Sequence, residues 1–155
     1  MKVLVTGAKG FVGRNLVSQL RNIQSGKAKK YALSGNELII FEYDVDSAPS
    51  ELDDYCRQAD FIFNLAGVNR PLDQSEFMKG NFGFASTLLA SLKRHGNTCP
   101  IMISSSTQAA LDNPYGASKR AGEQLLFEYS RETGSKVLVY RFPLSLIHIS
   151  EPTRL

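Results

Sequence analysis

The chain has 155 residues, 43% of them hydrophobic and 21% charged, the balance of an ordinary globular domain. A net charge of +3 is too mild for a nucleic-acid binder, and no basic stripe with interleaved aromatics occurs. No run approaches the ~18 apolar residues of a membrane span, and "MKVLVTGAKG" lacks the apolar stretch of a signal peptide, so a cytoplasmic protein is expected, with neither membrane nor nucleic acid as partner.

The first predicted element is a strand, "KVLVTG" at Lys2–Gly7, a continuous apolar run of the kind buried on both faces of a parallel sheet. "TGAKGFVG", Thr6–Gly13, follows directly and opens a helix carrying Phe11, Leu16 and Leu20. In that setting Gly7 permits a tight turn, Gly10 lets a pyrophosphate approach the backbone, and Gly13 lets the helix pack on the strand. The helix N-terminus adds N–H donors and partial positive charge for phosphates. Lys27, Lys29 and Lys30 then form a short basic cluster that reads as a solvated loop face.

"ELIIFEYD", Glu37–Asp44, is a strand more polar at its end, which suits a sheet edge. "SELDDYCRQ" is a short helix with Ser50 as N-cap. "FIFNLAG", Phe61–Gly67, is the next strand, and Phe77, Phe84, Leu88 and Leu92 mark one face of a long helix ending near Gly96. "IMISSS", Ile101–Ser106, is a fourth strand. Asn113 and Pro114 open another helix as N-cap and N1, Gly134 ends it, and "KVLVYRF", Lys136–Phe142, is a fifth strand. Strands alternating with helices predict an α/β fold with a doubly wound parallel sheet. Cys56 and Cys99 lack metal-type spacing and read as reduced thiols, and no carboxylate or cysteine partner is expected for His95 and His148, so no metal is expected.

The chemistry concentrates in "SSSTQAALDNPYGASK", Ser104–Lys119. Tyr115 and Lys119 stand at i and i+4, so both side chains leave one face of the helix. A tyrosine with a pKa near ~10 is a poor base at neutral pH, but an adjacent ammonium favours its phenolate. Such a tyrosine can give a proton to a carbonyl oxygen or take one from a hydroxyl. A serine hydroxyl at the C-terminal end of the preceding strand lies where ligands of doubly wound folds sit.

T-G-x-x-G-x-x-G at Thr6–Gly13, "SSS" at Ser104–Ser106 and Y-x-x-x-K at Tyr115–Lys119 together resemble the extended short-chain dehydrogenase/reductases, the NAD-dependent epimerase/dehydratase family, along nearly the whole chain. The resemblance implies a Rossmann-type fold that binds a dinucleotide through Gly7, Lys9, Gly10, Phe11, Val12 and Gly13. It implies further cofactor contacts from Asp44 and Val45, from Leu65, Ala66 and Gly67 of "NLAG", and from Asn81, Ser104, Tyr115 and Lys119. Ser106, third of the serines, would share catalysis with Tyr115 and Lys119, and Lys119 would also hold the nicotinamide ribose. The family expects two strands between the first helix and "NLAG"; with one here, five strands should lie in the order 2-1-3-4-5.

Nine positions separate Ser106 from Tyr115, a shorter gap than most extended members have. With "GVNRP" at Gly67–Pro71, this resembles the capsular-polysaccharide branch, bifunctional NADPH-dependent reductases with a C-terminal cupin domain. The branch implies reduction of the 4-keto group of a UDP-linked deoxy-amino-sugar, a nucleotide-sugar partner, and a homodimer in the full-length protein. Asn69 and Arg70 would join Ser106 at the substrate; the alternative for Arg70 is a loop tied to a backbone carbonyl. An epimerase or dehydratase cycle is the near rival, although "SSSTQAA" lacks the acids usual in dehydratases. A non-catalytic dinucleotide sensor is the rival from another class.

Cofactor choice turns on which strand Glu37–Asp44 represents. As the second strand, its Glu42 and Asp44 argue for NAD(H). As the third, Asp44 and Val45 would border the adenine, and Lys9, Arg14 or the Lys27–Lys30 cluster could meet a 2′-phosphate. The resemblance favours NADP(H), with NAD(H) open. It stops after "YRFP", Tyr140–Pro143. "LSLIHISEPTRL", Leu144–Leu155, resembles translated sequencing-adapter read-through. The expectation is therefore an NAD(P)-binding domain over 1–143, incomplete at its C-terminus, a non-native tail over 144–155, and an N-terminal fragment unable to turn over alone.

Overall fold

A computed structural model describes residues 1–27, 37–67 and 78–143. The expectations for Asn69, Arg70, Phe77, His148, Lys29, Lys30 and the tail lie outside the described residues. Five strands, β1 (Lys2–Thr6), β2 (Ile39–Tyr43), β3 (Phe61–Asn64), β4 (Ile101–Ser106) and β5 (Val137–Phe142), form one sheet in the order β2-β1-β3-β4-β5. Every pairing is parallel, with Lys2 opposite Ile39, Val3 opposite Phe61, Ile62 opposite Ile101, and Ile101 opposite Val137. This is the fold and order the sequence predicts, with the more polar β2 at an edge.

Helices α1 (Phe11–Gln24), α2 (Pro49–Gln58), α3 (Phe84–Arg94) and α4 (Pro114–Thr133) cover the sheet. Side chains alternate along each strand, so the apolar runs feed two cores. Val3 and Val5 pack with Val17, Leu20 and Ile23 of α1. Leu4, Ile62, Ile101 and Ile103 pack on the other face with Leu52 and Cys56 of α2, Leu88 and Leu92 of α3, and Leu126 and Tyr129 of α4. Burial on both faces is why these strands read as unbroken apolar runs.

Three local expectations are corrected. The N-cap of α2 is Ala48, not Ser50, because Pro49 occupies the first helical position and already holds a helical φ. The Glu51 carboxylate compensates by accepting the Ala48 N–H at 3.1 Å. The long helix through Phe84 is interrupted: Met78–Gly83, "MKGNFG", is a π-helical turn that passes into α3, and its two glycines are weak helix formers. His95 does have a carboxylate partner, with Nε2 3.0 Å from Asp53, which also takes bonds from Ser91 and Arg94 and is thereby held well below the usual carboxylate range. Asp53 is remote in sequence and reaches His95 through α2–α3 packing. The cap of α4 is as expected: Asn113 Oδ1 accepts the Gly116 N–H at 2.7 Å, and Gly134 closes the helix at φ 79°. Among the described residues no helix is long and apolar enough to cross a membrane.

Candidate active site

The turn after β1 is specified by lack of space. Gly7 has φ 67°, and a Cβ there would lie 2.7 Å from Ala66 N and from the Leu65 carbonyl. A Cβ on Gly13 would lie 2.1 Å from Gly7 O, so α1 docks on the turn backbone to backbone. Gly10 differs: its Cβ would meet Gly7 O alone, at 3.4 Å, leaving its outer side open. Helix α1 starts there with no side-chain cap and no acid in its first turn, so its positive end is available to an anion. A glycine-lined cradle with an open helix end fits the diphosphate of a dinucleotide.

The end of β2 borders this turn. Asp44 Oδ2 accepts the Lys9 N–H at 2.7 Å, and Oδ1 accepts the Val45 N–H at 2.7 Å. Of the two acids named from sequence, Asp44 lines the cavity, whereas Glu42 pairs with Arg21 at 2.8 Å. The Lys9 ammonium pairs with Asp46 on the exposed surface and does not line the cavity. Its pKa is raised, chiefly by that bond.

On the other side of β1, Leu65, Ala66 and Gly67 continue from β3 along the cavity. A Cβ on Gly67 would lie 2.8 Å from Asn81 Oδ1 and 3.2 Å from Lys119 Nζ, so three segments meet at one point. Asn81, buried in the π-helical turn, donates to Ser118 Oγ at 3.0 Å, and Ser118 donates to the Tyr115 carbonyl at 2.8 Å.

Ser106 is fully buried at the end of β4. Its hydroxyl accepts the Gln108 N–H at 3.1 Å and hydrogen-bonds the Tyr115 phenol. The nine-residue step to Tyr115 is bridged by a 3-10 turn, Thr107–Ala110, folded hard against α4. Arg120 donates to the carbonyls of Ala109 and Leu111 at 2.7 and 3.3 Å, and a Cβ on Gly116 would lie 2.3 Å from Gln108 O. Gly116 is thus what lets so short a loop sit on the helix start, a role the sequence reading missed.

Lys119 Nζ stands 5.7 Å from the Tyr115 ring centroid. Burial pulls the Lys119 pKa down to about 8, with Glu123 opposing the fall. Burial also raises the Tyr115 pKa, offset in part by Ser106. Proximity of the ammonium predicts a more acidic phenol; in the structure the shift runs the other way, with burial raising the phenol pKa and the Ser106 bond opposing it.

These parts enclose a single cavity of about 430 Å³. Gly7, Gly10, Phe11, Val12 and Gly13 line it from the turn, and Ser104, Tyr115 and Lys119 from the β4–α4 side. Ser106 and Asn81 stand behind that lining, holding Tyr115 and Ser118. Sequence reasoning missed five lining residues, Tyr43, Gly80, Phe84, Ser105 and Phe142. Tyr43 and Phe84 stack with centroids 5.9 Å apart, a contact between distant elements with no signal in spacing. Ser105 stands inside the quoted serine run and was legible there.

The architecture and this constellation define a dinucleotide-binding α/β class, and the profile of the NAD dependent epimerase/dehydratase family matches residues 3–144. The chain belongs to that family. It is 41% identical over 143 residues, 92% of its length, to the UDP-2-acetamido-2,6-beta-L-arabino-hexul-4-ose reductase of Pseudomonas aeruginosa. Among solved structures it is similar to the capsular polysaccharide assembling protein CapF of Staphylococcus aureus, with 43% identity and a TM-score of 0.73 over 92% of the chain. It is also similar to RMD of Pseudomonas aeruginosa, solved with NADPH, at 25% identity and a TM-score of 0.69, over 92% of this chain and 52% of that one. The chain spans about a third of the reductase and of CapF, 35% and 36% of their lengths.

Proposed function

We propose that the chain is the NAD(P)-binding part, over residues 1–143, of a nucleotide-sugar reductase acting on the 4-keto group of a UDP-deoxy-amino-sugar in surface-polysaccharide synthesis. The observation that carries this reading is the meeting of Tyr115, Ser106 and Lys119 with the glycine cradle around one cavity. A reduced nicotinamide bound there would supply hydride. The chain's own residues do the rest. Tyr115, whose phenol pKa burial raises, gives its phenolic proton to the substrate carbonyl oxygen; Ser106 orients the phenol, and Lys119 stabilises the phenolate left behind. Gly7, Gly10 and Gly13 with the α1 N-terminus hold the diphosphate, and Asn69 and Arg70 are assigned to the nucleotide sugar.

NADP(H) is the favoured cofactor, supported by the resemblance to NADPH-dependent reductases. The second reading, NAD(H), has its own observation: Asp44 stands at the end of the strand next to β1, where a carboxylate accepts ribose hydroxyls. Comparing NADPH and NADH affinities for the chain separates the two.

The test of the function is turnover of the complete gene product with a UDP-4-keto-sugar, followed by NADPH consumption. Tyr115→Phe keeps the ring and removes the transferable proton, so turnover should fall at least ~100-fold with cofactor affinity nearly unchanged. Undiminished turnover in that variant would overturn the mechanism.

A further inference from the structure

Tyr115 and Lys119 are two steps of a row that continues. Glu123 stands one turn further along the same face of α4, at i+8 from Tyr115, and is 4% exposed. A buried carboxylate is costly unless fully bonded. Here Arg141 of β5 grips it bidentately, Nε to Oε1 and Nη2 to Oε2, each at 2.8 Å. The Arg141 side chain is 44% exposed and the Glu123 side chain 5%. The buried end of this pair therefore lies on the helix face that carries Lys119, and its neutralising partner reaches in from the rim.

We propose that Glu123, set by Arg141, is a positioning residue for this site: its carboxylate keeps the buried Lys119 ammonium charged beside Tyr115. The proposal rests on the function proposed above and extends it by one turn of helix and one strand. An apolar pair of similar volume would hold α4 to β5 as well or better, so a stability role alone does not explain a carboxylate at this depth. The electrostatics agree in sign. Burial works against the Lys119 charge and Glu123 supports it. Burial also works against the Glu123 charge, but the bidentate Arg141 bonds, with the charge of Arg120, hold its pKa below the ordinary value. Among the described residues, Tyr115 and Arg120 on the helix and Arg141 on β5 are the charged or titratable groups facing the Lys119–Glu123 pair; β4 adds the Ser105 hydroxyl and the π-helical turn the Asn81 amide, neither of which titrates near neutrality.

The two partners of the pair should act on Lys119 with opposite sign, which a purely structural role would not produce. The Lys119 titration is followed by NMR of 13C-labelled lysine in this chain, with the resonance assigned by its loss in Lys119→Arg. Glu123→Gln should lower the midpoint by on the order of one pH unit, the scale of a close opposite charge. Arg141→Met should raise it, and Glu123→Asp, which keeps the charge, should restore it most of the way. In the complete gene product the alkaline limb of turnover should move in the same direction as the midpoint in each variant. If Glu123→Gln does not fold, Arg141→Met against Arg141→Lys decides, the first raising the midpoint and the second leaving it near its starting value. An unmoved midpoint, or one that moves the same way whichever partner is removed, overturns the proposal. Because the titration needs neither cofactor nor turnover, its failure would be distinct from an active Tyr115→Phe, which would overturn the function itself.

Discussion

The two sides of the cavity are built from opposite materials. On the β1–α1 side the architecture is backbone against backbone, and Gly7 and Gly13 are required because a methyl group has nowhere to go. Around Lys119, on the β4–α4–β5 side, it is charge, with Lys119 and Glu123 buried along one helix face and Arg141 reaching in from the rim of the neighbouring strand. Steric specification is indifferent to pH and salt; electrostatic specification shifts with every protonation change nearby. A cradle for a diphosphate needs the first kind, because the ligand is charged at all working pH values. A proton-transfer group needs the second, because its work is to change protonation state.

The sharpest break of this comparison is on the steric side. Gly13→Ala would place a methyl 2.1 Å from Gly7 O, with Ala8 Cα and Gly7 C both at 2.9 Å. All three obstacles are backbone, so relief requires α1 to move off the turn. Chemical denaturation should show a loss of about 3 kcal/mol or more, the upper range for overpacking, and dinucleotide binding should disappear with it. The loss should be the same at neutral and mildly alkaline pH. A loss that changed with pH would show that charge, not space, sets the turn.

The electrostatic side should break in a smaller and pH-dependent way. The Lys119 pKa falls from 10.5 to about 8 on folding. Between those values the unfolded chain holds the proton and the folded one releases it, so the contribution of this group to stability rises with pH across that window. Below it, both states are protonated and the full cost of burying the ammonium is present. Lys119→Met removes that cost and leaves Glu123 with Arg141. At neutral pH it should therefore stabilise the chain by on the order of 2 kcal/mol, with the gain shrinking as the pH approaches the ordinary lysine value. Turnover should be lost. Thermal unfolding across pH checks it, and a destabilised Lys119→Met would mean that the ammonium is better paired than its burial implies.

The same contrast explains what the sequence could and could not disclose. Backbone-determined features are written locally. The continuous runs at Lys2–Thr6 and Ile101–Ser106, the glycine spacing at Gly7–Gly13, and the Asn113-Pro114 start of α4 each depend on a few adjacent residues, and each was legible. Features that depend on two distant segments were not. The Asp53 contact to His95 joins α2 to the end of α3, the Tyr43–Phe84 stack joins β2 to α3, and the Glu123–Arg141 pair joins α4 to β5. Tyr115 and Lys119 were readable because they share one helix face; the direction of the Tyr115 pKa was not, because burial comes from the whole fold. The π-helical turn at Met78–Gly83 falls between the two cases: its glycines were visible, but helix periodicity on either side hid the interruption.

The smallest effect gives the finest discrimination, because it repeats the Gly13→Ala chemistry on the other side of the cavity. Gly122 lies buried inside α4, three residues after Lys119 and one before Glu123. A Cβ there would touch Ile103 Cδ1 alone, at 3.8 Å, an ordinary van der Waals contact with the flexible end of a side chain. Glycine in a helix interior costs roughly 0.5–1 kcal/mol relative to alanine, because the unfolded chain has more conformations to lose. Gly122→Ala should therefore stabilise the chain by about 0.5–1 kcal/mol and leave the Lys119 titration where it was, since no charge changes and no neighbour must move. One substitution, glycine to alanine, would then have opposite signs on the two sides of one cavity. A destabilised Gly122→Ala would mean that α4 lies closer to β4 than 3.8 Å of clearance allows, and that the helix beside Lys119, like its start at Gly116, is specified by space.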